Sequence, residues 1–188
     1  MGLRVESEMP FEIKPADTKA SVWIHDFMMT QSHGTEITDI DAVKRHFEEA
    51  LQKIWADAVE NDSLNALILN AKMDWRSVMI LRTYVRYMRQ MGSSFGHRYI
   101  AQALNNNANI AQMIIDLFKA RHDPANQDDM EKATEKLQNS IEQALEAVAS
   151  LDEDRILRSL TNLVMATLRT NFYPLDENGE PTTYLAVK

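Results

Sequence analysis

Cysteine is absent from the 188 residues, so disulfides and thiolate-bound zinc or iron–sulfur clusters are excluded. That absence is compatible with a reducing cytoplasm, the expected location. Glycine is scarce, at five residues, which suits long helices better than a fold made of tight turns. A dinucleotide cradle needs glycines spaced G-x-G-x-x-G behind a strand. The nearest pair, Gly92 and Gly96, lies between helical segments instead. Cations are outnumbered, 20 Lys and Arg against 28 Asp and Glu, for a net charge of −8. An acidic surface repels phosphate backbones, so no nucleic-acid partner is expected. No apolar run approaches the ~20 residues that span a bilayer, so no membrane partner is expected either. The opening residues, Met1 to Glu8, lack the basic and apolar stretches of a signal peptide.

What is present is helical periodicity. The exception is the start, where Leu3 to Val5 alternates and Val22 to Met29 is rich in strand formers. Two strands are expected there, joined through Pro10, Pro15 and Asp17. After Gly34, Thr38 or Asp39 can cap a helix whose stripe is Ile40, Val43, Phe47, Leu51, Ile54 and Ala58. A short apolar segment, Leu64 to Ala71, follows Asp62 or Ser63. A longer helix starts near Asp74 with Val78, Leu81, Val85 and Met88 on one face, and stops at Gly92. Two short helices follow, one near Ser94 to Leu104 and one carrying Ile110, Met113, Ile114, Leu117 and Phe118. His122-Asp123-Pro124 ends the second.

The stripe Met130, Ala133, Leu137, Ile141, Leu145 and Val148 marks the clearest helix. Ser150-Leu151-Asp152-Glu153 reads as a capping box for a last helix bearing Ile156, Leu157, Leu160, Leu163, Val164 and Leu168. Pro174 to Pro181 is turn-like, and Tyr184 to Val187 reads as the start of a strand. The fold class is mainly α: an irregular bundle of about six helices with a small N-terminal β element.

Three constellations bear on chemistry. Arg82, Arg86 and Arg89 share a helical face, with Tyr84 and Tyr87 interleaved, and form the candidate interaction face. Such a stripe can bind an anionic ligand, RNA or an acidic partner surface, and the alternatives are solvated arginines or arginines bridging to Asp and Glu on a packed neighbour. His25, Asp26 and His33 match no metal-site spacing. The inward Glu-x-x-His pairs of a di-iron bundle are also missing, because Val43, Ser94 and Lys119 stand three residues before His46, His97 and His122. Asp152, Glu153 and Asp154 occupy a first helical turn, where carboxylates complement the helix dipole. Met79, Met88, Met113, Met130 and Met165 fall on apolar stripes and read as adaptable core filling. No catalytic, cofactor-binding or metal residue is assigned.

Several stretches resemble the large bacterial NAD-specific glutamate dehydrogenases. They are Met1 to Val5, Val22 to Phe27, Leu81 to Ile100, Ala120-Arg121-His122-Asp123-Pro124, Ala149 to Leu157, and Ala166 to Phe172. The resemblance runs in order along nearly the whole chain. It implies an internal segment upstream of the catalytic core, in three parts. Residues 1–34 would end an ACT-like regulatory region, and 35–172 would form a helical domain. Residues 173–188 would be a linker and the first catalytic-domain strand, Thr183 to Val187. It further implies NAD as cofactor of the parent enzyme but none in this segment, because the family's catalytic lysines, aspartate and glycines have no counterparts here. The implied partners are other domains and subunits of a homo-oligomer. The segment itself would be a structural and oligomerisation module. The alternatives are a ligand-sensing module, with the arginine stripe holding an anionic effector, and an independent adaptor or nucleic-acid-binding module.

Overall fold

The computed structural model describes residues 1–16, 20–32, 39–175, 177, 179, 181–182 and 184–188, with only the backbone of 126–128. Asp17, His33, Gly34, Thr38 and Thr183 of the sequence expectations lie outside the described residues. The β element is an antiparallel hairpin of β1 (Leu3–Ile13) and β2 (Val22–Gln31), with an irregularity between Val5 and Ser7. Pro10 is not in the connection but inside β1, opposite His25. A two-stranded ribbon leaves one side of each strand without a hydrogen-bonding neighbour, and there the missing N–H of proline is tolerated. The register puts Ile13, Val22, Phe11, Ile24, Met9 and Met28 on one face, all exposed. The other face carries Trp23, His25 and Phe27 in a row, with ring centroids 6.5 and 6.1 Å apart.

Among the described residues the hairpin is fastened to the helices at its root. Gly2 has φ +70°, and a Cβ there would stand 2.7 Å from the Ala66 Cβ, so only glycine permits this approach. Ser32 N donates to Gly2 O at 2.9 Å, and Gln31 Nε2 donates to Asn70 Oδ1 at 2.5 Å.

The helices are α1 (Ile40–Trp55), α2 (Leu67–Asn70), α3 (Trp75–Gln90), α4 (His97–Asn106), α5 (Ala108–His122), α6 (Met130–Leu145) and α7 (Leu151–Ala166). Short 3₁₀ segments at Ser63–Ala66 and Pro124–Asp129 precede α2 and α6. One more helix is present than expected, because the apolar stretch after Asp62 closes a single α turn as α2. Asp39 caps α1 by accepting from Ala42 N at 3.1 Å, and Asp74 caps α3 by accepting from Ser77 N at 2.7 Å. The end of α3 is a Schellman motif. Ser93 N donates to Met88 O, Gly92 N donates to Arg89 O, and Gly92 takes φ +88°. α5 stops at Asp123, before Pro124, as the sequence requires.

One hydrophobic core runs from Ala50 to Phe172. α3 and α5 form its centre and are buried on more than one side, while α6 lies along α5. An aromatic chain crosses it. Tyr84 meets Phe118 edge-on at 6.1 Å, and Phe118 meets Phe172 edge-on at 5.6 Å. Of the named methionines, Met88 is buried, and Met113 and Met165 pack against the core.

The α1 stripe is only partly used. Val43 is buried, Phe47 packs against the core and Ile54 is half-buried, but Ile40 and Leu51 are exposed and Ala58 lies past the helix end. α1 touches α2 and α3 with one edge, narrower than the stripe. Leu168 likewise lies beyond α7 and is exposed.

Among the described residues the C-terminal stretch is not a strand. Val187 forms a single antiparallel bridge with Thr170. Leu168 N donates to Lys188 O at 2.6 Å and Lys188 N to Arg169 O at 3.0 Å, so the tail folds back on the exit of α7. Leu185 and Val187 pack against the helical core from there.

The capping box at Ser150 is half formed. Ser150 Oγ accepts from Glu153 N at 3.4 Å. The Glu153 carboxylate does not reach back; it accepts from Asn106 Nδ2 at 2.7 Å and Asn107 Nδ2 at 2.8 Å, joining α7 to the α4–α5 junction. Ser150→Ala should therefore cost about 1 kcal/mol. Glu153→Ala should cost about 1–2 kcal/mol, because it removes hydrogen bonds to a charged acceptor. In urea unfolding the Ser150 and Glu153 changes should add, whereas Glu153→Ala and Asn107→Ala should couple. Coupling of the first pair and additivity of the second would restore the reciprocal box.

Candidate interaction face

Helical spacing places Arg82, Arg86 and Arg89 along α3, but the tertiary structure gives them different surroundings. Arg82 is 3% exposed. Its Nε and a terminal nitrogen donate to the two carboxylate oxygens of Asp62 at 2.7 and 3.0 Å, a bidentate pair. Asn65 Oδ1 accepts at 2.8 Å, and Glu60 Oε2 lies 3.1 Å from Nε. Arg82 is thus an internal cation neutralised by acids on the adjoining segment, not part of an open face. Burial pushes the Asp62 carboxyl up, but the bonds and charge of Arg82, with the Leu64 amide, outweigh it and hold Asp62 below its ordinary value.

Arg86 and Arg89 remain at the surface. Arg86 reaches the other oxygen of Glu60 at 2.5 Å and is 58% exposed. Arg89 donates to the Phe95 carbonyl at 3.3 Å, an exposed bond. The interleaved tyrosines also divide. Tyr87 is exposed, while Tyr84 is buried with its hydroxyl 2.7 Å from Thr167 Oγ1, and burial pushes its phenol up to about 12. A cavity of about 320 Å³ lies beside Arg82 and Arg86, between Asp57–Glu60, α3 and the tail residues Tyr184 and Leu185. Asp62 and Glu60 together already neutralise the two arginines there, which leaves little attraction for an anionic effector.

The other sequence candidates have structural surroundings. His25 sits in the middle of β2, opposite Pro10, with Nδ1 2.6 Å from Glu8 Oε1. His46 Nδ1 is 3.1 Å from Lys72 O. Asp154 pairs with Arg158 at 2.9 Å and Asp152 with Arg155 at 3.8 Å. Among the described residues no group of three or more His, Asp or Glu side chains is arranged to hold a metal ion.

Sequence reasoning missed a polar cluster around Phe118 and Phe172. Arg76 lies over the Phe172 ring, 4.2 Å from its centroid, and donates to Phe172 O at 2.6 Å. Arg121 donates to Met165 O at 2.9 Å and so satisfies a terminal carbonyl of α7. The His122 ring packs 4.9 Å from Phe118, with Nε2 buried and unpartnered. The available signal was Ala120-Arg121-His122-Asp123-Pro124, read as a helix stop at His122-Asp123-Pro124 and as part of the resemblance.

Two expected outcomes follow from this geometry. Arg82→Ala should destabilise the chain by about 3–5 kcal/mol, because Asp62 loses its buried partner. Arg86→Gln with Arg89→Gln should change stability by less than about 1 kcal/mol. Urea unfolding separates them, and a similar loss from both would overturn the assignment of Arg82 as internal. The second outcome concerns His122, whose pKa burial and then Arg121 push below 6.5. As pH falls through 6.5 the unfolded chain takes up this proton first, so His122 reduces stability on the acid side and has no effect above. His122→Gln should flatten the stability difference between pH 7.5 and 5.5. An unchanged slope would remove His122 as its source.

Comparison with known proteins supplies the context for these elements. Residues 1–43 match the family model "Glutamate dehydrogenase, ACT3 domain", and 59–124 match "Glutamate dehydrogenase, helical motif 3". Residues 140–188 match "Bacterial NAD-glutamate dehydrogenase, catalytic domain", a match that begins inside α6. The chain is 39% identical over its whole length to the NAD-specific glutamate dehydrogenase of Halomonas elongata, covering 11% of that protein. It is 40% identical over its whole length to the Pseudomonas aeruginosa enzyme of the same name, covering 12% of it. Against the Mycobacterium tuberculosis enzyme of that name it is 34% identical over 92% of the chain and 11% of the relative. The chain therefore spans about a tenth of the length of these curated relatives. With three models of one enzyme group matched in order along its length, the chain belongs to the bacterial NAD-specific glutamate dehydrogenase family.

Proposed function

We propose that this chain is a non-catalytic helical module of an NAD-dependent glutamate dehydrogenase. The parent reaction takes L-glutamate, NAD and water to 2-oxoglutarate, ammonia and NADH. The module joins an ACT-like regulatory region, residues 1–34, to a catalytic domain entered through 173–188, with 35–172 as the helical domain. One observation carries this reading: a single hydrophobic core includes residues from both the helical-motif match and the catalytic-domain match. Ile114 and Phe118 of the first pack in one cluster with Ile141, Ile156, Leu157 and Leu160 of the second. Such a core is rigid, so a displacement at its regulatory end is carried to its catalytic end rather than absorbed.

In the parent enzyme the exposed Arg86 and Arg89 meet acidic surface on another domain or subunit of a homo-oligomer in the cytoplasm, while Arg82 holds α3 from within. Two surface arginines on one helix of an acidic chain motivate this. The purified chain should form no NADH from glutamate and NAD and should show no thermal shift with NAD. In the full-length enzyme, Arg86→Gln with Arg89→Gln should shift light scattering toward smaller species. NADH production above a buffer blank, abolished by a substitution within this chain, would sink the non-catalytic reading. Unaltered assembly of the full-length double variant would return both arginines to solvent.

A further inference from the structure

A cleft of about 370 Å³ lies where the hairpin root meets the helices, away from the α3 arginines. It is lined by Gly2, by Ser63, Ala66 and Asn70 of the segment before α3, and by Arg98, Gln102, Asn105 and Asn106 of α4. The four α4 residues stand at i, i+4, i+7 and i+8 and so share one helical face. The volume is in the range of small-molecule sites.

The wall is built by amides that bond one another. Asn70 Nδ2 donates to Asn105 Oδ1 at 3.0 Å, and Asn105 Nδ2 donates to the Ser63 and Ala101 carbonyls at 3.0 and 2.9 Å. Gln31 of the hairpin donates to Asn70, and its own Oε1 is buried without a partner. Asn106 spends its amide nitrogen on Glu153 and keeps its oxygen free. Among the described residues, the side chains of Arg98 and Gln102 have no hydrogen-bond or ion-pair partner. Among the described residues no acidic side chain lines the cleft. In a chain of net charge −8, the unpaired guanidinium of Arg98 in this lining offers an anion one cationic partner.

We propose that this cleft binds a small carboxylate that carries a hydroxyl or ammonium next to its acid group. The carboxylate takes the planar fork of Arg98, which matches two coplanar oxygens. The adjacent donor group bonds to the free oxygens of Asn106 and Gln102, which accept and cannot repel it. One lining cation offsets one negative charge, so a carboxylate is matched where a phosphate, with nearly two charges at neutral pH, is not. Ligand in this position bridges α4 to the hairpin root. This inference goes beyond the structural role proposed above and does not depend on assembly or on the α3 arginines.

The test is two-dimensional ¹H–¹⁵N NMR of the whole chain, titrated with glycolate and glycine and, as controls, inorganic phosphate and chloride. Glycolate or glycine should produce saturable shifts at Gly2 and at the side-chain amides of Asn70, Gln102 and Asn105. Arg98→Gln should fold normally, since Arg98 is exposed and unpartnered, and should weaken that binding about tenfold or more. Arg89→Gln should bind as wild type. Shifts that do not saturate, equal response to phosphate or chloride, or unchanged affinity in Arg98→Gln would each overturn the proposal.

Discussion

The buried pair between Arg82 and Asp62 is the interaction on which the rest of the arrangement hangs. Asp62 does two jobs at once. It accepts from Leu64 N at 3.0 Å, which starts the 3₁₀ segment, and it holds the Arg82 guanidinium on α3. Arg82 is removed from water and Asp62 only partly, so the buried guanidinium must be completed by further hydrogen bonds or it destabilises. Asn65 and Glu60 complete this one. The pair therefore fixes the 60–70 segment against α3 in one orientation, with Leu64, Leu67 and Ile68 delivered into the core.

That orientation decides what the opposite side of the segment can receive. Ala66 meets the Cα of Gly2 too closely for any side chain there, and Asn70 takes the amide of Gln31. The amides continue to Asn105 on α4, and the adjacent Asn106 and Asn107 hold Glu153 at the start of α7. A hydrogen-bonded series thus links the hairpin to α7 across the top of the core. Beyond the root, the apolar residues of the hairpin are exposed on both faces among the described residues. Unpaired strand edges of this type are ordinarily covered by another part of a protein.

Helix placement was legible because caps and stops are local chemistry. Asp39, Asp74, Ser150, Gly92 and Pro124 each act on backbone groups within a few residues. The apolar stripes were legible as helices but not as buried surface. The α1 stripe includes the exposed Ile40 and Leu51, because periodicity says which residues share a face and nothing of how much of that face is covered. The capping box failed for a related reason. Glu153 had a backbone amide within reach and two asparagine side chains from a distant junction, and the asparagines won. Arg98 and Gln102 gave no signal at all, since a polar helix face reads as solvated until another element closes a cleft over it.

The sequence by itself determined the helical class, the approximate helix ends, the strand pair and the absence of a glycine-rich phosphate cradle. All of these follow from side chains acting on their own backbone or on neighbours one turn away. The tertiary structure alone decided that Arg82 points inward to Asp62 while Arg86 and Arg89 stay outside. It alone decided that the tail folds back on α7, and that a cleft forms between α4 and the hairpin root. Each of these depends on groups tens of residues apart meeting at hydrogen-bond distance. Such meetings are set by the packing of whole helices, which no local pattern records.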